Sequence, residues 1–104
     1  MKRLLTLSAL GMLALPAAAV AAPDGAKLYA EKTCIACHGP KGNKPLLPNY
    51  PKVAGQNAAY AEQQMKDIKS GARANAQSVA MAGVMHLVND EEIKALAVWL
   101  ESLQ

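Results

Sequence analysis

The chain has 104 residues, a formal net charge of +3 from eleven Lys and Arg against eight Asp and Glu, three Tyr, one Trp and no Phe. A chain of this length makes one domain near the size at which an apolar core alone gives modest stability, and it lacks the large flat side chains that usually fill such a core. Its charge gives nucleic-acid binding little motive, the more so because Lys2 and Arg3 sit in a segment expected to be removed, taking the +3 to +1.

Residues 1–21 have the layout of a secretory leader: Lys2 and Arg3, an apolar run over residues 4–15, Pro16, and small residues ending in Ala19-Val20-Ala21. Cleavage is expected after Ala21, since cutting one residue later would place Pro23 at the first mature position. The apolar run is short of the roughly 20 residues of a membrane-spanning helix. The expectation is therefore a periplasmic protein of residues 22–104, with no stable membrane insertion of the mature chain.

A first helix is predicted from about Asp24, a plausible N-cap, through Leu28, Tyr29 and Ile35 to the cysteines. "GPKGNKPLLPNYPKVAG", residues 39–55, carries four prolines and reads as an extended loop, long enough for so small a domain to suggest a function or something to wrap around. Asn57 and Gly71 frame a second helix with Tyr60, Met65 and Ile68 facing the core. Residues 72–88 support only a short, weaker helix, because Gly83 disfavours a long one. In the last helix Asn89 and Glu92 make a capping-box pair, Asp90 and Glu91 suit the positive helix start, and Ile93, Leu96, Ala97, Leu100 and Leu103 form one apolar stripe. No run of alternating β-branched residues argues for a sheet, so the predicted class is all-α.

The chemistry lies in "TCIACHG", which holds both cysteines and one of the two histidines. Cys34-Ile35-Ala36-Cys37-His38 is the C-x-x-C-H order of covalent c-type haem attachment. Two thiols three residues apart share one side of a helical turn, so each can add to a vinyl group of the same porphyrin edge. His38, directly after the second sulfur, is then placed to ligate the iron. Two other readings compete. A thioredoxin-like dithiol belongs with a βαβ pattern that is absent here, and a structural zinc site needs four ligands where two Cys and two widely separated His exist.

The sixth ligand decides between electron transfer and chemistry at an open iron. A thioether there would fill both axial positions and raise the potential relative to two imidazoles. Met1 and Met12 fall in the leader and Met65 on a core-facing helix position, which leaves Met81 and Met85, each of them equally at home as core filler.

Three stretches together, "GAKLYAEKTCIACHG", "PNYPKVAGQNAAYAEQQMKDIKSGAR" and "NDEEIKALAVWLESL", resemble the class I cytochromes c, specifically the small bacterial type that includes cytochrome c-553 and the single lobes of dihaem periplasmic cytochromes. The resemblance covers nearly all of residues 22–104. It implies about four helices wrapped around one covalently attached haem c, with first and last helices crossing near Gly25, Tyr29 and Trp99. It also implies an axial methionine seven residues before the apolar position preceding the last helix cap; that position is Val88, which selects Met81 over Met85. His86, a rival ligand on its chemistry, faces away from the iron in the family.

The resemblance further implies a proline carbonyl that accepts the second ring N–H of the proximal histidine. Pro48 matches best; relatives usually have a loop one residue shorter, which leaves Pro45 open. Tyr50 is placed near the haem. The function implied is a non-enzymatic carrier of single electrons between redox proteins, such as a membrane or periplasmic donor and a terminal oxidase or reductase, working as a monomer or weak dimer. Lys41, Lys44 and Lys52 are candidates for steering such partners. The alternatives are a haem-based gas sensor or small haem enzyme with an open sixth site, and a subunit relaying electrons inside a larger complex.

Overall fold

The structure, a computed structural model, describes Gly11 and residues 22–104; apart from Gly11, the expected leader over residues 1–21 lies outside the described residues. The described residues form five helices and no strand: α1 (Gly25–Glu31), α2 (Cys34–His38), α3 (Ala58–Ser70), α4 (Ser78–Met85) and α5 (Asp90–Ser102). Among the described residues no helix is long and apolar enough to cross a membrane.

The longest helices are where capping and periodicity agree. In α5 the Asn89 side chain accepts from Glu92 N at 2.8 Å while Glu92 Oε1 accepts from Asn89 N at 3.0 Å, which satisfies two otherwise orphaned donors reciprocally. Its stripe of Ile93, Leu96, Ala97 and Leu100 is buried, and Leu103 forms the half-buried C-cap. In α3 the Asn57 side chain accepts from Tyr60 N at 3.3 Å, and Gly71 ends the helix in the left-handed region at φ 87°. A second cap comes from across the fold, where Glu101 Oε2 accepts from Ala58 N at 2.6 Å.

Two expectations are corrected here. The first helix does not run on into the cysteines. It stops at Glu31, and Thr33 takes up φ 66°, ψ 15° before α2 begins. A β-branched residue in the left-handed region costs on the order of 1–2 kcal/mol, and what it achieves is a change of direction that turns Cys34–His38 away from the line of α1. Tyr60 is not a core residue either: it is 52 % exposed, because Ala61, Met65 and Ile68 take the buried stripe and Tyr60 stands at its edge.

The core is a cluster of Leu28, Tyr29, Ala61, Met65, Ile68, Met85, Val88 and the α5 stripe. α5 packs against α1 and α3, and α4 packs against α3. At the α1–α5 crossing a Cβ on Gly25 would sit 2.5 Å from Trp99 Cβ and closer still to the carbonyl oxygen of Ala95. Only glycine permits that approach. Beside it Tyr29 and Trp99 stack at 4.9 Å between centroids with a 47° tilt, a favourable aromatic geometry.

The long loop is tied down by backbone bonds rather than by apolar burial. Leu46 N donates to Cys37 O at 2.9 Å, Val53 N to Gly42 O at 2.8 Å, and Gly55 N to Leu100 O at 2.8 Å. It leaves α2 at Gly39, whose φ of 86° and contact with the carbonyl of Lys44 exclude any side chain.

Candidate functional site

These anchors hold the loop over a cavity of about 320 Å³ bounded by α2, residues 49–56, α3, α4 and the inner face of α5. That is at the small end of the range of roughly 300–1,000 Å³ in which cofactor pockets fall. Cys34, Cys37 and His38 share one wall, Met65, Ile68, Leu96 and Leu100 are among its apolar lining, and Met81 lines it from α4.

His38 is 8 % exposed, and its Nδ1 donates to the carbonyl oxygen of Pro51 at 2.9 Å. A carbonyl can only accept, so the proton is fixed on Nδ1 and, in the neutral imidazole, the lone pair on Nε2. The same bond orients the ring and raises its basicity as a metal ligand. The carbonyl belongs to Pro51, however, and neither to Pro48 nor to Pro45. The Leu46–Cys37 bond and the tight turn at Gly39 hold residues 44–46 against α2, leaving Pro48 exposed, and the chain comes back to the ring only at Pro51. Prolines at 45, 48 and 51 are evenly spaced, and nothing in that spacing separates them.

The two thiols are free and half-buried. Burial pushes the Cys34 thiol up to about 11, with the neighbouring Cys37 adding to the rise and a backbone hydrogen bond opposing it. A redox dithiol needs the opposite displacement, toward a stabilised thiolate. A bare-metal site fares no better: among the described residues no group of three or more His, Cys, Asp or Glu could hold a metal ion.

Met81 and Met85 lie one helical turn apart and both line the cavity, but Met85 is 1 % exposed within the core while Met81 is half-buried. Tyr50 is a half-buried part of the wall. His86 is exposed at the end of α4 and lines no part of it. Lys41, Lys44 and Lys52 are all exposed, and only Lys52 reaches the cavity. Besides Pro51, sequence reasoning missed Gln64 and Arg73 in the lining; Gln64 could have been found, since it lies three residues after Ala61 on the α3 face that turns inward.

Two thiols, an imidazole with one nitrogen committed, a thioether and an apolar lining are a donor set that fits a haem, and no buried side-chain polar atom among the described residues lacks a partner. The family model for cytochrome c matches residues 22–104. The chain belongs to the cytochrome c family. Its relatives in that family include cytochrome c4 of Pseudomonas aeruginosa, 40 % identical over 99 residues that make up 94 % of this chain and 47 % of that one. Cytochrome c-553 of Nitratidesulfovibrio vulgaris is 34 % identical over 104 residues, 99 % of this chain and 100 % of the relative. Among solved structures, reduced recombinant cytochrome c4 from Pseudomonas stutzeri superposes with a TM-score of 0.66 at 30 % identity, covering 77 % of this chain and 46 % of that one. The chain thus spans less than half the length of the cytochrome c4 relatives it matches. Its all-helical architecture is that of a class I cytochrome c, and membership of the cytochrome c family brings with it a covalently bound haem c.

Proposed function

We propose that this protein is a periplasmic carrier of single electrons, holding one haem c through thioethers to Cys34 and Cys37, with His38 and Met81 as axial ligands, and transforming no substrate. One haem is assigned because the chain contains one C-x-x-C-H sequence. The observation that carries the reading is the His38 imidazole, buried against the cavity between its carbonyl anchor and the two thiols, with Nε2 left to bind iron. Bound there, the haem supplies the one-electron chemistry. The chain's own part is to anchor it, to fix the imidazole through Pro51 and to surround it with the apolar side chains that set the local dielectric.

Met81 is preferred to Met85 as second axial ligand because its thioether stands at the cavity without being committed to the closed core. An imidazole from His38 and a thioether from Met81 together would hold the iron in both of its oxidation states, which favours electron exchange over chemistry at an open site. Export rests on the leader-like residues 1–21. Redox proteins that deliver or collect single electrons, a membrane or periplasmic donor and a terminal oxidase or reductase, are the partners this reading requires.

Optical spectroscopy of the purified protein tests the assignment. The wild type should show a thioether-to-ferric charge-transfer band and bind carbon monoxide slowly when reduced. Met81→Ala should lose the band and bind carbon monoxide rapidly, whereas Met85→Leu should keep wild-type behaviour on both counts. Rapid binding by the wild type would replace the carrier with a gas sensor or small haem enzyme; an unchanged Met81→Ala spectrum would remove Met81 as ligand.

A further inference from the structure

The helix that carries Met81 has little of its own to hold it in place. α4 has 8 residues, Gln77 gives it no side-chain cap, its first turn has no acid and its last turn no base. A helix so short is marginal in water, so its position comes from its anchors. At its start the buried Ser78 donates through Oγ to Asn75 Oδ1 at 3.3 Å. At its end the chain turns through His86 and Leu87 to Val88, and Asn89 then caps α5.

Met81, Met85 and Val88 follow one another at i, i+4 and i+7, the spacing of a single helix face. Met85 is 1 % and Val88 2 % exposed, so the far end of this stripe is sunk in the core. The Val88 carbonyl is buried with it and has no backbone donor among the described residues. Glu92 N, the N–H four residues on, is taken by Asn89 Oδ1. A buried carbonyl without a partner is costly. Lys69 supplies the partner, its Nζ donating to Val88 O.

Lys69 stands half-buried in the last turn of α3. It shares a surface hollow with Asn89, Asp90 and Glu91. The ion pairs among the described residues are nevertheless Lys27–Glu31 and Lys66–Glu62. The ammonium is thus given to a neutral carbonyl although two acids lie near, and a hydrogen bond from a charged donor is a strong one. Neither Lys69 nor Val88 lines the cavity, so whatever this bond does to the site it does through α4.

We infer that Lys69 is a positioning residue for the second axial ligand. Its bond to Val88 O latches the end of α4 to α3 and, through the buried Met85, keeps Met81 turned into the cavity. The inference rests on the haem reading and on Met81 as ligand. Without the ammonium, the Val88 carbonyl finds a donor only in water, which requires the buried junction to open. α4 then swings out more often, and each opening takes Met81 off the iron.

The experiment measures carbon monoxide binding to the reduced holoprotein and amide hydrogen exchange of the oxidised holoprotein on wild type, Lys69→Leu, Lys69→Arg and Gly25→Ala, with covalent haem checked by denaturing electrophoresis. Carbon monoxide reaches the iron only when Met81 leaves. Lys69→Leu should bind it about tenfold faster than wild type, a change on the scale of one unsatisfied buried polar group. The amides of residues 85–88 should exchange faster in the same variant while those of α1 and α5 keep their protection. Lys69→Arg, which keeps a charged donor, should return most of the way to wild type. Gly25→Ala loses stability at the α1–α5 crossing, away from the latch, and should bind carbon monoxide as slowly as wild type.

Binding no faster in Lys69→Leu than in Gly25→Ala would overturn the proposal, as would faster exchange spread evenly over all the helices. Failure of Lys69→Arg to restore the slow rate would overturn it too, because the donor and not the packing of the stem is what the latch needs. Should Lys69→Leu fail to mature, Lys69→Gln gives the same comparison with a smaller rise, and no rise there has the same meaning. Rapid binding by the wild type, or an unchanged Met81→Ala spectrum, would instead sink the functional reading itself before Lys69 comes into question.

Discussion

At the α1–α5 crossing, Gly25, Tyr29, Ala95 and Trp99 meet so closely that an added methyl group has nowhere to go. On the other side of the core, the cavity has a largely apolar wall with a polar sector from Gln64 to Gln77, and its long loop is held by backbone bonds to α2 and α5. The crossing is closed by protein atoms alone. The cavity is shaped for a rigid group that the twenty side chains cannot supply, in a chain with no Phe and one Trp. The two halves therefore depend on different things: one on the fit between two helices, the other on attachment of the haem.

The strongest way to break that comparison is to withhold the haem, with Cys34→Ala and Cys37→Ala together. A cavity of about 320 Å³ that loses its occupant leaves the apolar side chains of its wall without packing partners and open to water. The double variant should therefore lack covalent haem on denaturing gels and show neither full helical circular dichroism nor a cooperative melt. A cooperative melt near the holoprotein's temperature would mean that the cavity half is as self-sufficient as the crossing.

A smaller effect is expected from the other half. Gly25→Ala puts a Cβ 2.5 Å from Trp99 Cβ and against the Ala95 carbonyl, backbone that cannot swing aside. Overpacking of this kind costs about 1–3 kcal/mol, read as a lower urea midpoint of the holoprotein. Gly25, Ala95 and Trp99 line no part of the cavity, so the optical spectrum should be unchanged. A shifted axial-ligand band in Gly25→Ala would show that the halves are coupled more tightly than their separate construction implies.

The same division explains what could be read in the sequence. The capping box of Asn89 and Glu92, the Asn57 and Gly71 boundaries of α3 and the crossing at Gly25 and Trp99 are local or periodic signals, and each stands in the fold where it was expected. C-x-x-C-H is likewise a contiguous motif whose chemistry is carried by its spacing. What escaped was set by tertiary geometry. The break at Thr33 runs against backbone preference and follows from the direction α2 must take. The choice of Pro51 among three evenly spaced prolines depends on how the loop is pinned at Cys37 and Gly39, and the place of Arg73 depends on two amides from different segments.

Tyr29 belongs to both halves, and its variant should give the smallest effect. Its ring stacks on Trp99 at the crossing, its hydroxyl donates to the Gly39 carbonyl at the root of the loop, and it lines the cavity. Tyr29→Phe keeps the ring and removes the hydrogen bond, a loss of about 1 kcal/mol. Burial, joined by the nearby Cys34 and opposed by a backbone hydrogen bond, pushes the phenol from 10.0 up to about 12. With Cys34 bound as the proposed thioether its charge would drop out, and burial, the larger cause, would carry the rise. A raised acid pKa means that the folded state holds its proton longer than the unfolded chain. This contribution is therefore fully present below pH 10 and is lost as pH climbs toward 12. Tyr29→Phe has no such proton to lose, so its deficit relative to wild type should be largest at pH 8 and shrink by pH 11 in paired urea titrations. A deficit that stays constant across that range would place the phenol in water and remove Tyr29 as the link between crossing and cavity.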